Sequence, residues 1–360
     1  MPPLVNDTPA PVTFFYPYPD EIAQCAQWAV DDPRPWSEEG VERRRAWILQ
    51  TYLHMRAQGY PVHIAATLPA RGTVVFIPEP ESAGALRAQY TARHRALTFV
   101  TVRADVLEFR SPWADAEIVQ NGRFADGHRS YFVPHWPQPG IVPRAANRGS
   151  RIEHITFKGG FGSLDKMFRS DAWHQFLDAR GMTFEIASKH TQSAVPRWHD
   201  YEHADLALAV RPMHGDGGQR CEKPASKLVN AWMAGVPALV GPEYAFQELH
   251  QDPLDYIEVR TLQDAMDAID ALRNDPDRYQ AMRAHGRKRA EAFTPARIAA
   301  RWADVLFERV PALKASPARR WAQRLPLPLR HGWNMATDLP SLFELRKMGG
   351  HVYRSLRPPA

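Results

Sequence analysis

RCEKPASKLVNAWMAGVPALVG, residues 220–241, is the stretch from which the fold is read. Pro224 suits the first turn of a helix, because the N–H it lacks is one that a helix start cannot pair internally. Val229, Trp232 and Met233 recur at helical spacing and supply an inward face. Gly235, Val236 and Pro237 stop the helix and lead into a short apolar strand over 238–240. At the helix start, the amides near Ala225, Ser226 and Lys227 carry partial positive charge. Lys227 adds a formal charge and Ser226 a hydroxyl donor, which together suit a phosphate. Asn230 lies one turn further on the same face, within reach of a ribose. Solvated Lys223 and Lys227, with Glu222 as a helix-start acid, would give the same letters and bind nothing.

The alternation continues on either side. Strands are expected over 152–157, 183–187, 206–210 and 256–259, with helices over 171–179, 262–273, 276–291 and 295–309, which makes a doubly wound unit. Upstream, strands over 12–16, 62–66, 73–77, 98–102 and 117–120, with a helix that stops near Gly59, make a second parallel sheet. FVPHWPQPGIVPRAANRGS, residues 132–150, is rich in proline and reads as the linker. The expected fold class is therefore α/β, with two Rossmann-like domains facing a cleft. Residues 1–148 form the acceptor side, 149–310 bind the nucleotide, and 311–360 form a basic, partly amphipathic tail.

Apolar residues make up 44% and charged residues 24%, which excludes a disordered or fibrous chain. Two cysteines, Cys25 and Cys221, exclude a disulfide framework or a cysteine-rich metal site. The first 25 residues lack a basic start and are broken by prolines, so no signal peptide is read, and a cytoplasmic protein is expected. The net charge of +5 is local: residues 311–360 hold nine Lys or Arg against Asp338 and Glu344, so the remainder is slightly acidic and no nucleic-acid face is expected. The tail, with an amphipathic run led by Leu342, Phe343, Leu345 and Met348, either meets an inner-membrane surface or packs back on the first domain.

Ligands of open α/β sheets bind beyond the carboxyl ends of strands, which singles out further residues. Lys158, Gly159, Gly160 and Gly162 follow one strand and form either a close-approach loop for an anion or a tight turn. His214 and Asp216, in the glycine-rich stretch 210–221, either contact a sugar or ride on a mobile loop. Ser188, Lys189 and Trp198 follow another strand and frame a base, unless Trp198 is simply core. Glu243 and Glu248 follow the strand at 238–240, and Glu248 is preferred as an acid on a hydroxyl. In the first half, Asp105 is a candidate acceptor base and Arg103 an anion contact, an ordinary surface ion pair being the alternative. His199 and His203 stand four apart, a metal spacing on a helix, but no third ligand accompanies them and a solvated pair is expected.

At EKPASKLVNAWMAGVP, residues 222–237, the chain resembles the donor-binding helix of GT-B glycosyltransferases, particularly bacterial family-4-like enzymes. FVPHWPQPG resembles the segment that precedes their donor domain. The likeness runs from about residue 97 to 310, and the first 96 residues share only the architecture. It implies a transferase that moves a sugar from a nucleoside-diphosphate sugar, UDP- or GDP-linked, to a hydroxyl of a surface or envelope glycan or a lipid-linked intermediate. Glu222 would stand beside the donor sugar, and Lys227, with Arg220 or Lys223, would neutralise the diphosphate without a metal or other cofactor. Many retaining members carry a second glutamate eight positions after the first; Asn230 stands there instead, and retention is the expected stereochemistry. A sugar-nucleotide epimerase and a non-catalytic membrane- or nucleotide-binding module are the alternatives.

Overall fold

The structure is a computed structural model and describes residues 11–37, 43–104, 110–188, 197–212 and 223–336. Six strands form the first sheet: β1 (Val12–Phe15), β2 (Val62–Ala65), β3 (Thr73–Phe76), β4 (Thr98–Arg103), β5 (Ala116–Val119) and β6 (Ser130–Phe132). All pair in parallel, in the order β2-β1-β3-β4-β5-β6. The second sheet holds β7 (His154–Lys158), β8 (Thr183–Ala187), β9 (Leu206–Ala209), β10 (Ala238–Val240) and β11 (Ile257–Glu258), parallel in the order β11-β10-β9-β7-β8.

Burial follows position in the sheet. Of the interior strands, β1, β3, β5, β9 and β10 are buried at every residue and β4 and β7 at all but one, as expected of strands covered on both faces. β8, at an edge, alternates exposed Thr183 and Glu185 with inward Phe184 and Ile186. β6 differs from the expectation. The proline-rich run does not begin a free linker at residue 132; Ser130–Phe132 first adds a strand to β5, and Val133 N–H still donates to Val119 O.

The connecting segment is bound along its length. Trp136 is buried, and its Nε1–H donates to Thr51 Oγ1 at 2.8 Å. Val142 bridges Asp200, and the Arg144 and Ala145 amides donate to Ala234 O and Glu202 O. Asp205, fully buried ahead of β9, takes Arg144 and Arg148 from this segment, at 2.7 Å and 2.6 Å, together with the Glu153 and His154 amides.

One apolar cluster joins the halves: Phe14, Trp47 and Val100 of the first share it with Ala207, Trp232 and Trp302. Trp302, on the helix Pro295–Ala303, meets Phe14 edge to face at 6.2 Å, so the chain has returned to the first half by this point. Three further helices, Val310–Lys314, Pro317–Arg324 and Leu327–Ala336, stay there. Arg330, 1% exposed, pairs with buried Asp115 and donates to Leu97 O at 2.8 Å; Gln323 donates to Thr98 Oγ1, and Asn334 to Pro112 O. Of the two fates expected for the tail, residues 310–336 thus pack on the first domain and put one of their cations inside it. The run at 342–348 lies outside the described residues.

His54, on the helix Gln50–Ala57, stacks its ring on Trp136 at 4.2 Å and is buried, with no partner for Nε2. Burial holds its pKa down at about 4, so the native ring is neutral where an unfolded one would be charged. This stability is fully present above pH 6.5 and is lost as pH falls toward 4, because there the unfolded chain binds the extra proton. His54→Phe keeps the stack, and urea melts of the two proteins at pH 7 and pH 4.5 should show it losing about 2–3 kcal/mol less than wild type over that interval.

Candidate functional site

Strand order reverses between β1 and β3 in the first sheet and between β7 and β9 in the second, and a doubly wound sheet binds its ligand at that point. A cavity of about 250 Å³ lies there, between the halves. Lys158, Gly159 and Gly160, directly after β7, and Ser226, Lys227 and Asn230 of the helix Ser226–Ala234 line it from the second half. Trp36, Arg43, Trp47 and Gln50 line it from the first, and His135, Pro137, Gln138 and Pro139 from the connecting segment. Among the described residues, its charged lining is wholly cationic: Arg43, Lys158 and Lys227.

The donor-type helix forms as its sequence dictates. Gly235 adopts φ +68° at its C-cap, a left-handed conformation that favours glycine, and the Arg287 guanidinium lies in the space a Cβ would take. Trp232 is buried, and its Nε1–H donates to Asp255 O at 2.8 Å, which fixes the helix against the domain. At the other end, Ala225 makes no side-chain cap hydrogen bond, and the helix presents the positive end of its dipole toward the cavity that Ser226 and Lys227 line. Lys227 lies across the glycine loop: a Cβ on Gly159 would come within 3.0 Å of Lys227 Cε and 3.1 Å of Nζ. Two of the segments singled out in the sequence therefore meet, and the absent side chain of Gly159 makes the space for it.

Other candidates have additional engagements. Lys158 points along the face of β7 that carries Thr156, and its ammonium donates to Glu185 of β8 at 3.0 Å. It borders both the cavity between the halves and a groove of about 380 Å³ beside β8. The Gly159 amide donates to Ala187 O, and the Phe161 amide to Ser188 Oγ, so Ser188 steadies the loop. Asn230 Oδ1 accepts from the Gln138 amide at 3.0 Å and so ties the connecting segment to the helix. Trp198 lines the cavity and donates to Ala187 O at 2.8 Å. Lys223 is half-buried and is not among the lining residues.

Glu248 accepts from the Gly122 and Arg123 amides at 2.8 Å and 2.9 Å, and Arg123 stacks over Tyr244 at 3.9 Å. It thereby clasps the first half and borders a small second cavity with Asn121, His135 and Ser226. Glu243 is buried in an ion pair with Arg211. Arg103 pairs with buried Glu117 at 3.1 Å, an internal pair and not a surface one. His199 and His203 fall on turns, so their spacing does not place them on one helical face; among the described residues no group of three or more His, Cys, Asp or Glu could hold a metal. Asp105, Lys189, His214, Asp216, Arg220 and Glu222 lie outside the described residues.

The sequence reading missed the wall opposite the helix. Trp36, Arg43, Trp47 and Gln50 come from the stretch between β1 and β2, and His135 and Gln138 from what was read as linker. The HWP triplet within that run was the one local signal, since a linker has no need of buried aromatics.

No protein-family model matches the chain, and no curated protein matches it. Among solved structures, an α1,3-fucosyltransferase superposes with a TM-score of 0.50 over 84% of this chain and 92% of its own, at 10% identity. Anabaena HepE in complex with UDP aligns at a TM-score of 0.48 and 10% identity, over 82% of this chain and 98% of its own. A GtfA/B complex aligns at 0.45 and 14% identity over 73% of this chain, which spans 60% of that one's length. At such identity the fucosyltransferase likeness speaks for the fold alone, and with the two strand orders it establishes the GT-B architecture of two parallel, helix-flanked sheets.

Proposed function

We propose that this chain transfers a sugar from a nucleoside-diphosphate sugar to a hydroxyl acceptor in the cavity between its halves. The observation that carries this reading is Lys227, laid over Gly159 at the start of the donor-type helix, in a cavity whose described charged lining is all cationic. That arrangement suits a diphosphate, and it acts most strongly on a leaving group whose charge grows as the bond from phosphate oxygen to the anomeric carbon breaks. Neutralisation is assigned to Lys227 and the helix amides, with no resident metal, and the donor is UDP- or GDP-linked.

The acceptor is proposed to be an envelope glycan or a lipid-linked intermediate reached at a membrane surface. In support, residues 310–336 contain no Asp or Glu, and Trp321 and Leu329, 54% and 60% exposed, are the large apolar side chains that stand out on the described surface. No helix among the described residues is long and apolar enough to cross a membrane, so contact there would be peripheral.

Lys227→Ala tests the site. Calorimetric titration with UDP and GDP should show wild type binding one of them and the variant binding it about ten- to hundredfold more weakly, the loss of one charge-assisted hydrogen bond. Equal affinity would remove Lys227 from the site, and no binding or thermal stabilisation of wild type by any nucleoside diphosphate would remove the reading itself.

A further inference from the structure

The sugar-transfer reading gives the second half a diphosphate to hold and leaves Arg43, the cation of the opposite wall, without an assignment. The chain is helical over 43–57, and Arg43, Ala46, Trp47 and Gln50 recur on it three and four residues apart, so one helix face lines the cavity. Gln50 Nε2 fastens this helix to Pro137 O at 3.1 Å, and the next residue, Gln138, donates its amide to Asn230 of the donor-type helix. Arg43 stands two turns before Gln50, along the wall from that fastening.

The Arg43 guanidinium is pinned at one edge. Its Nε–H donates to the carboxylate of Glu79, three residues beyond β3, which is itself buried at 7% exposure. Among the described residues Glu79 is the one partner Arg43 has, so Nη1 and Nη2 carry N–H groups that no described residue accepts from. Nor are they enclosed: the side chain keeps 30% of its surface and borders the cavity. A guanidinium held at Nε offers its outer edge as two parallel donors, the geometry that takes a carboxylate or a phosphate bidentately. Because a buried carboxylate fixes the rotamer beforehand, little side-chain freedom is left to lose on binding. Gln138 adds a second unmet donor: its Nε2 is buried without a hydrogen-bond partner, and the residue lines the same cavity. No Asp or Glu stands among the described lining residues to answer either of them.

We propose that this wall is an anion subsite for the acceptor: the attacking hydroxyl belongs to a sugar that also carries a carboxylate or a phosphate, and Arg43 takes that group. The assignment rests on the sugar-transfer reading and names its acceptor class. Lys227 and Arg43 come from opposite halves, so the leaving diphosphate and the acceptor's charge each have a cation of their own in a cavity where the two anions would otherwise repel. A neutral sugar has nothing to give the fork, which makes Arg43 a residue of specificity and not of the chemical step.

The test loads the protein with whichever of UDP and GDP it binds and titrates it calorimetrically with glucose, glucuronate and glucose 6-phosphate. One of the two anionic sugars should bind about tenfold or more tightly than glucose, and which of them does so separates carboxylate from phosphate. Arg43→Gln should abolish that preference while keeping nucleoside-diphosphate affinity within about twofold of wild type. Arg43→Lys, which retains a charge beside Glu79 and so guards against a Gln variant that fails to fold, should keep only a part of it, because an ammonium has no fork. Anionic sugars that bind no better than glucose, or a preference that survives in both variants, overturn the proposal and leave the sugar-transfer reading standing. A tenfold loss of nucleoside-diphosphate affinity in Arg43→Gln overturns it as well, by placing Arg43 on the donor. A wild type that binds no nucleoside diphosphate defeats the sugar-transfer reading, and this proposal with it.

Discussion

Asp205→Ala should lower the unfolding free energy by about 3–5 kcal/mol, the usual cost of removing one partner from a buried ionic cluster. Asp205 is fully buried and accepts from Arg144 at 2.7 Å and 3.0 Å, from Arg148 at 2.6 Å and 2.8 Å, and from the Glu153 and His154 amides. Its loss leaves Arg144 with only the Arg151 carbonyl at 3.1 Å, and Arg148 with only the half-exposed Glu153 carboxylate at 3.4 Å, as side-chain hydrogen-bond partners among the described residues. Burial by itself would raise this carboxyl; the Arg148 guanidinium, the two amides and Arg144 reverse that and hold it below the usual carboxylate range. Its contribution is therefore complete near neutral pH and is lost as pH falls through its lowered native pKa. Urea unfolding at pH 7 is the measurement, and a variant within about 0.5 kcal/mol of wild type would show that the connecting segment holds by other means. Because Arg144 and Arg148 belong to that segment, a destabilised variant should also yield to protease between residues 133 and 150 before it unfolds globally.

Arg330→Ala should cost about 3 kcal/mol or more by the same physics at the opposite end of the molecule. Arg330 is almost wholly buried, pairs with Asp115 and donates to Arg95 O and Leu97 O, while Asp115 also accepts from the Phe99 amide at 2.8 Å. Without the guanidinium, a carboxylate remains buried against β4. Release of the last helices should follow, read as faster tryptic cleavage after Arg319, Arg320 and Arg324 at temperatures where the rest of the chain resists. Wild-type cleavage rates and an unchanged urea midpoint would mean that Leu327 and His331, packed near Trp113, hold the tail without the ion pair.

The second half was legible because its signals are local. Pro224 ahead of the helix, apolar spacing at Val229 and Trp232, and Gly235 at its end are each decided within a turn of chain, and the helix runs over Ser226–Ala234 accordingly. The meeting of Lys227 with the Gly159 loop was legible in outline, since both follow from strands of one doubly wound sheet. The opposite wall was not. Gln50 meets Pro137, and Asn230 meets Gln138, across separations in sequence that no periodicity records. β6 was missed for a related reason: Ser130–Phe132 is too short to show a period, and Tyr131 and Phe132, good strand formers, become a strand only because β5 lies beside them. The same long-range origin turned Asn230 from a residue expected on a ribose into one that also fastens the connecting segment, and Glu248 into a clasp between the halves.

The return of residues 310–336 to the first sheet has a consequence for how the molecule is made. That sheet is encoded by residue 132, yet Arg330 and Leu327, which complete its surface near Asp115 and Phe99, are translated roughly 200 residues later. At ribosomal speeds of about 5–20 residues per second, the first half waits about 10–40 s for its closing helices, while the second half emerges with all of its own strands and helices in sequence. The domain synthesised first is thus the one finished last. During that interval the faces that Leu327 and Arg330 will cover are open, and Asp115 is without the Arg330 guanidinium that pairs with it in the finished fold.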